Sequence, residues 1–257
     1  MGKHLIRAIA IGAALTLVVV ASALAQPQVV RVGNLIFRDN GAISPTKLPK
    51  HRQAPISAKL NGQIRTVDGS HPPAIVGVVA DFDKTIEVNA KGLPACNKDQ
   101  LLARSSADAK RACPDAIVGS GKAEVEVAFP EQAPFTATGP ITAFNGGVHG
   151  GTTFLYIHTY VSVPAPTAVV ATVEITHIHR GHYGLHVEAQ IPAIAGGAGS
   201  VTKFKLTIGR SFTYKGRKES YLTASCPTGT YFAEGKVQFS DDTVLTVTHA
   251  LPCTPTG

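Results

Sequence analysis

The densest concentration of chemistry-bearing side chains is a run of four histidines: Thr176-His177-Ile178-His179-Arg180-Gly181-His182-Tyr183-Gly184-Leu185-His186. Neutral imidazoles brought to short range would ligate Zn²⁺ or Cu²⁺. Their convergence depends on hairpin register. A two-residue turn at Arg180-Gly181 pairs His179 with His182 and gathers His177, His179, His182 and His186 on one face. A three-residue loop, Arg180 to His182, pairs His179 with Tyr183 instead. Val173, Ile175, Tyr183, Leu185 and Val187 then share an apolar face, and His182 and His186 turn away from His177 and His179. A slip of one residue reverses every side chain. Burial of the five apolar residues favours the second register. Metal binding is therefore the alternative reading, and no cofactor is expected by default.

A second enzyme-like string is Val78-Val79-Ala80-Asp81-Phe82-Asp83-Lys84-Thr85. It is similar to the first motif of haloacid-dehalogenase-type phosphatases, an apolar strand followed by Asp-x-Asp-x-Thr. That resemblance would make Asp81 the nucleophile and Asp83 the acid beside Mg²⁺, with Asp241-Asp242 as the metal-binding pair. The surroundings argue otherwise. Such chemistry needs strands alternating with helices, the Gly after the second Asp is Lys84 here, and Glu87-Val88-Asn89 reads as a returning strand. Asp81 to Lys84 is more simply a turn. Gly119-Ser120-Gly121-Lys122-Ala123 fails as a phosphate loop at both ends, and no G-x-S-x-G occurs. The chain is expected to be non-catalytic.

A third candidate is a strand that alternates Phe154, Tyr156, His158 and Tyr160 with Leu155, Ile157 and Val161. Phe154, Tyr156 and Tyr160 would form a flat face for stacking on sugar rings. The competing and favoured reading is a strand buried on both sides.

The elements that must position these residues are mainly short strands separated by turn signals from Ser57 onward. Lys122-Ala-Glu-Val-Glu-Val-Ala-Phe129 alternates cleanly: Val125, Val127 and Phe129 face one way, Lys122, Glu124 and Glu126 the other. One helix is expected over 98–111 with Asn97 as N-cap. Val29 to Arg38 reads as a strand, and Asp39 to Pro55, with Pro45, Pro49 and Pro55, as a linker or long loop. The pattern predicts an all-β chain, an antiparallel β-sandwich with one short helix in a disulfide-closed loop. Its expected organisation is residues 1–25 as a signal peptide, 26–55 as an N-terminal strand and linker, and 56–257 as the sandwich domain.

Lys3 and Arg7, an apolar run from Ala8 to Val20, and Ala23-Leu24-Ala25 make up an export signal with a small-x-small cleavage site. The run is shorter than the ~20 residues of a membrane span, so no stable span is expected after cleavage. In an exported chain, Cys96, Cys113, Cys226 and Cys253 are expected to form two disulfides. Three pairings are open; Cys96–Cys113 and Cys226–Cys253 are favoured because each closes a short loop. Residues 1–25 hold two of the 24 basic residues and none of the 17 acidic ones, leaving a net charge of +5. That fits loose attraction to acidic wall polymers and falls short of a nucleic-acid footprint.

Gly92-Leu93-Pro94-Ala95-Cys96, Ala112-Cys113-Pro114-Asp115-Ala116-Ile117-Val118-Gly119-Ser120-Gly121 and Tyr221-Leu222-Thr223-Ala224-Ser225-Cys226 resemble secreted β-rich proteins of soil bacteria. The resemblance implies a scaffold and assigns no activity. The reading overall is a secreted, non-catalytic protein that binds glycans or cell-envelope polymers, with a Zn- or Cu-binding protein as the alternative and a Mg-dependent phosphatase behind it.

Overall fold

A computed structural model describes residues 27–162 and 165–257; the expected signal peptide lies outside the described residues, Gln26 included. Twelve strands build the main sheet: β1 (Gln28–Val32), β2 (Leu35–Ser44), β3 (Ser57–Thr66), β4 (Ile75–Asp83), β5 (Ile117–Val127), β6 (Phe135–His149), β7 (Thr152–Val161), β8 (Thr167–Arg180), β9 (Tyr183–Gln190), β10 (Gly199–Ile208), β11 (Thr230–Phe239) and β12 (Val244–Pro252). Their lateral order is β1-β2-β3-β10-β5-β6-β7-β8-β9-β4-β11-β12, and every neighbouring pair is antiparallel. The all-β antiparallel fold read from the alternating pattern is what forms.

The two layers are one continuous sheet that rolls over on itself. The edge strands β1 and β12 come to lie against each other, with β12 also touching β2. A hydrogen bond from His249 on β12 to Asp39 Oδ2 on β2 spans this seam at 2.7 Å. The clean alternation of β5 shows how the roll is sided: Ala123, Val125 and Val127 are buried inside, while Lys122, Glu124 and Glu126 face outward. Fully burying a valine contributes about 1.5–3 kcal/mol.

Residues 39–55 differ from the expected linker. Asp39 to Ser44 complete β2, which is paired with β3 along its length, and Ala54–Pro55 form a short strand beside 222–224. The prolines sit at edges and breaks, where a missing N–H costs no ladder bond.

Three coverings complete the roll. One end is closed by a small sheet of residues 54–55, 222–224 and 86–88, beside the Cys226–Cys253 disulfide. The other end is plugged by Ile194 against Val125, Val127 and Val169. The outer face of β6 and β7 is covered by the 93–116 excursion, held by the Cys96–Cys113 disulfide. Both disulfides are the local pairs, with Cα separations of 5.7 and 6.2 Å. The expected helix is broken: residues 98–100 form a 3-10 turn, Ala103 adopts φ +54°, and α1 (Ser106–Ala112) starts afresh. The hydroxyl of Ser105 caps it by accepting from the Asp108 N–H at 3.2 Å.

Candidate functional site: an apolar interior and a self-paired exterior

The interior is too wide for its side chains. Its walls come from eight of the strands, β3 to β10, while β2, β11 and β12 pack with β3 and β4 in a separate core. An eight-stranded interior is filled by side chains or holds one small ligand, and several inward positions here carry only alanine, among them Ala80, Ala123, Ala171 and Ala189. A cavity of about 360 Å³ results. Its walls include Phe82, Ile157, Val173, Val187, Phe204 and Leu206. Thr159 and Tyr221 also line it, but both hydroxyl oxygens are buried without a hydrogen-bond partner. Almost no polar surface meets the cavity.

The histidine hairpin is one wall. In its body Ile175 pairs with Val187, His177 with Leu185 and Thr176 with His186. Val173, Ile175, Leu185 and Val187 thus face the cavity together. Near the tip the register shifts, and Arg180 pairs with Tyr183 around a two-residue turn, Gly181-His182. Gly181 has φ +59°, where glycine is unstrained. Gly184 is required by close approach: a Cβ there would lie 2.5 Å from the Lys84 Cα. The shift puts Tyr183 on the outer face, away from the four apolar residues it was expected to join.

The four histidines separate. His177 and His179 are exposed near the strand end. His182 stacks on Phe232, ring centroids 4.7 Å apart. His186 Nδ1 lies 2.6 Å from Asp81 Oδ1 and its Nε2 lies 3.0 Å from Glu188 Oε1. The bond to Asp81, then that to Glu188, raises the His186 pKa above its ordinary value. Among the described residues no three His, Cys, Asp or Glu side chains gather closely enough to hold a metal.

Asp81 is the floor of an outer groove of about 480 Å³ lined by His179, Arg180, His186, Glu234 and Lys236. Cross-strand pairing sets His186, Asp81 and Glu234 in one row over β9, β4 and β11. Arg180 bridges Asp81 and Glu234, the latter at 2.8 Å, and Tyr183 Oη donates to Glu234 at 3.3 Å. The Arg180 hydrogen bond holds the Glu234 carboxyl below its ordinary pKa. These groups satisfy one another and leave little capacity for a ligand.

Asp83 is spent locally. It accepts from Thr85 N at 3.0 Å, Thr85 Oγ1 at 2.8 Å and Phe232 N at 3.2 Å. Asp241 accepts from Thr243 N at 3.0 Å in a turn. The strand carrying Asp81 and Asp83 is antiparallel to both neighbours, so the parallel framework of the phosphatase motif is not what surrounds them.

Phe154, Tyr156 and Tyr160 all point outward from β7. Tyr156 packs against the disulfide-closed excursion, and burial raises its pKa. Phe154 lies 5.8 Å from His149, ring to ring. His158, between Tyr156 and Tyr160, is fully buried under the excursion, with Nε2 3.0 Å from Arg104 O, and burial lowers its pKa.

One constellation has no sequence signal, because its members lie far apart in the chain. Ser200 Oγ is 3.0 Å from His71 Nε2, and His71 Nδ1 is 2.8 Å from Glu126 Oε1. The spacing is that of a nucleophile, base and orienting carboxylate. Ser200, however, is 1% exposed and donates to Pro72 O at 2.5 Å. The set ties the 67–74 loop to β5 and β10.

The fold and site thus define an all-β protein with an apolar cavity inside its sheet. Comparison with family models, curated proteins and solved structures finds no match to this chain.

Proposed function

We propose that the chain is a non-catalytic binding protein that holds a small apolar molecule inside its rolled sheet. The observation that carries this reading is the 360 Å³ cavity walled by carbon, a volume in the usual range of ligand pockets. An apolar cavity stays dry and takes apolar guests. The outward positions support a water-facing surface: Lys59, Arg65, Lys122 and Glu124 point away from the interior, opposite to the apolar exterior of a lipid-embedded barrel. The two disulfides support a site of action outside the reducing cytosol, in keeping with the export signal of residues 1–25. Glycan binding on Phe154, Tyr156 and Tyr160 has less support, because Tyr156 is partly taken up by the excursion. Equilibrium dialysis against naphthalene tests the proposal. One molecule bound per chain, saturating at sub-millimolar concentration, is expected; uptake that never saturates contradicts it.

A further inference from the structure

Resting on the reading of the cavity as a binding site, we infer its ligand class: a neutral hydrocarbon moiety of about a dozen to fifteen carbons that brings no polar atom inside. Ligand pockets ordinarily combine apolar walls with a few placed polar groups that orient the guest. This cavity has none. Its lining residues with side-chain oxygens are Thr159 and Tyr221, and both oxygens are packed away from accessible space. Among the described residues, no charged one lines it.

A hydroxyl or carbonyl carried into the cavity gives up its water hydrogen bonds and meets no polar atom on the accessible wall, the Thr159 and Tyr221 oxygens lying behind it. That loss weakens binding roughly ten- to a hundredfold for a neutral group, and far more for a carboxylate or ammonium. The walls therefore select by exclusion. Size follows from volume: a cavity of ~150 Å³ accepts one benzene, so 360 Å³ takes about twice that amount of carbon. The shared chemistry fits a free hydrocarbon or the alkyl tail of an amphiphile whose head stays outside.

The test is a matched series measured on the full folded protein by displacement of bound naphthalene. The inference expects 2-naphthol to bind at least tenfold more weakly than naphthalene, and 2-naphthoate not to compete. Decyl maltoside distinguishes the source: competition assigns the site to amphiphile tails, and its absence to free hydrocarbons, the class standing in either case. Val187→Thr places a hydroxyl on the wall with nearly unchanged shape, and the inference expects it to narrow the naphthalene-to-naphthol gap about tenfold. If naphthalene itself does not bind, the cavity reading fails and takes this inference with it. If naphthalene binds and 2-naphthol or 2-naphthoate binds as tightly or more so, the cavity reading stands and the exclusion of polar groups is overturned.

Discussion

Strands β4 and β9 present two faces that differ in kind. Outward lie Asp81, His186 and Glu188, joined from neighbouring strands by Arg180 and Glu234. Inward, one residue away along the same strands, lie Ala80, Phe82, Leu185 and Val187. The outer face has all the groups that usually signal chemistry, and they are consumed in pairing with each other. The inner face has no such group and encloses unfilled space. Residue type alone points to the first face; unused binding capacity points to the second.

Opening the inner space should remove the binding capacity that sets the inner face apart. Cys226 and Cys253 enclose a sequence separation of 27 residues and pack beside the small sheet that covers one end of the cavity. Replacing both with Ser is expected to lower unfolding free energy by about 3 kcal/mol, read by denaturant titration, and to weaken naphthalene binding with it. A loss in stability alone, with binding intact, would separate the end cap from the cavity.

Gly184→Ala attacks both faces together, because its Cβ would press on the Lys84 backbone at 2.5 Å. A cost of about 1–3 kcal/mol is expected, measured as a fall in the denaturation midpoint. Ala171→Phe acts on the inner face alone. It fills the cavity and should reduce naphthalene affinity at least tenfold, with a smaller stability penalty than the 1–3 kcal/mol of overpacking a filled core. Glu234→Gln, on the outer face, should leave that affinity unchanged.

The smallest effects concern pH. His186 has its pKa raised by Asp81 and Glu188. The folded chain then binds the extra proton, so this contribution is complete below about pH 6.5 and is lost as pH rises through the folded value. His186 is largely solvent-screened, which limits the effect to about 1 kcal/mol or less. His158 has the opposite sign. Burial lowers its pKa, the unfolded chain binds the extra proton, and stability falls as pH drops below about 6.5. Thermal denaturation from pH 5 to 8 should show His186→Gln flattening the alkaline limb and His158→Gln the acid limb. Identical slopes in both variants would contradict the assignments.

Much of the scaffold was legible. Alternation named the inward residues of β5, loop closure favoured the two local disulfides, and burial of Val173, Ile175, Leu185 and Val187 selected the register of the hairpin body. The tip was not legible, since it packs Gly184 against Lys84 and the His182 carbonyl accepts from the Lys84 N–H, contacts distant in sequence. Residues 39–55 looked like a linker because their prolines follow closely on 39–44, the half of β2 that is paired with β3 and, beyond Asp39, not with β1. The cavity was hidden for a similar reason. Inward alanines such as Ala80 and Ala171 read as ordinary core, because residue type does not show which strands face them across the interior.

The most direct test of the two-face account is methyl NMR of the protein with naphthalene. Intermolecular NOEs to Ile157, Val173 and Val187, with none to Val79 and Ile178 in the outer groove, are predicted. NOEs confined to Val79 and Ile178, or none at all at saturating naphthalene, would contradict it.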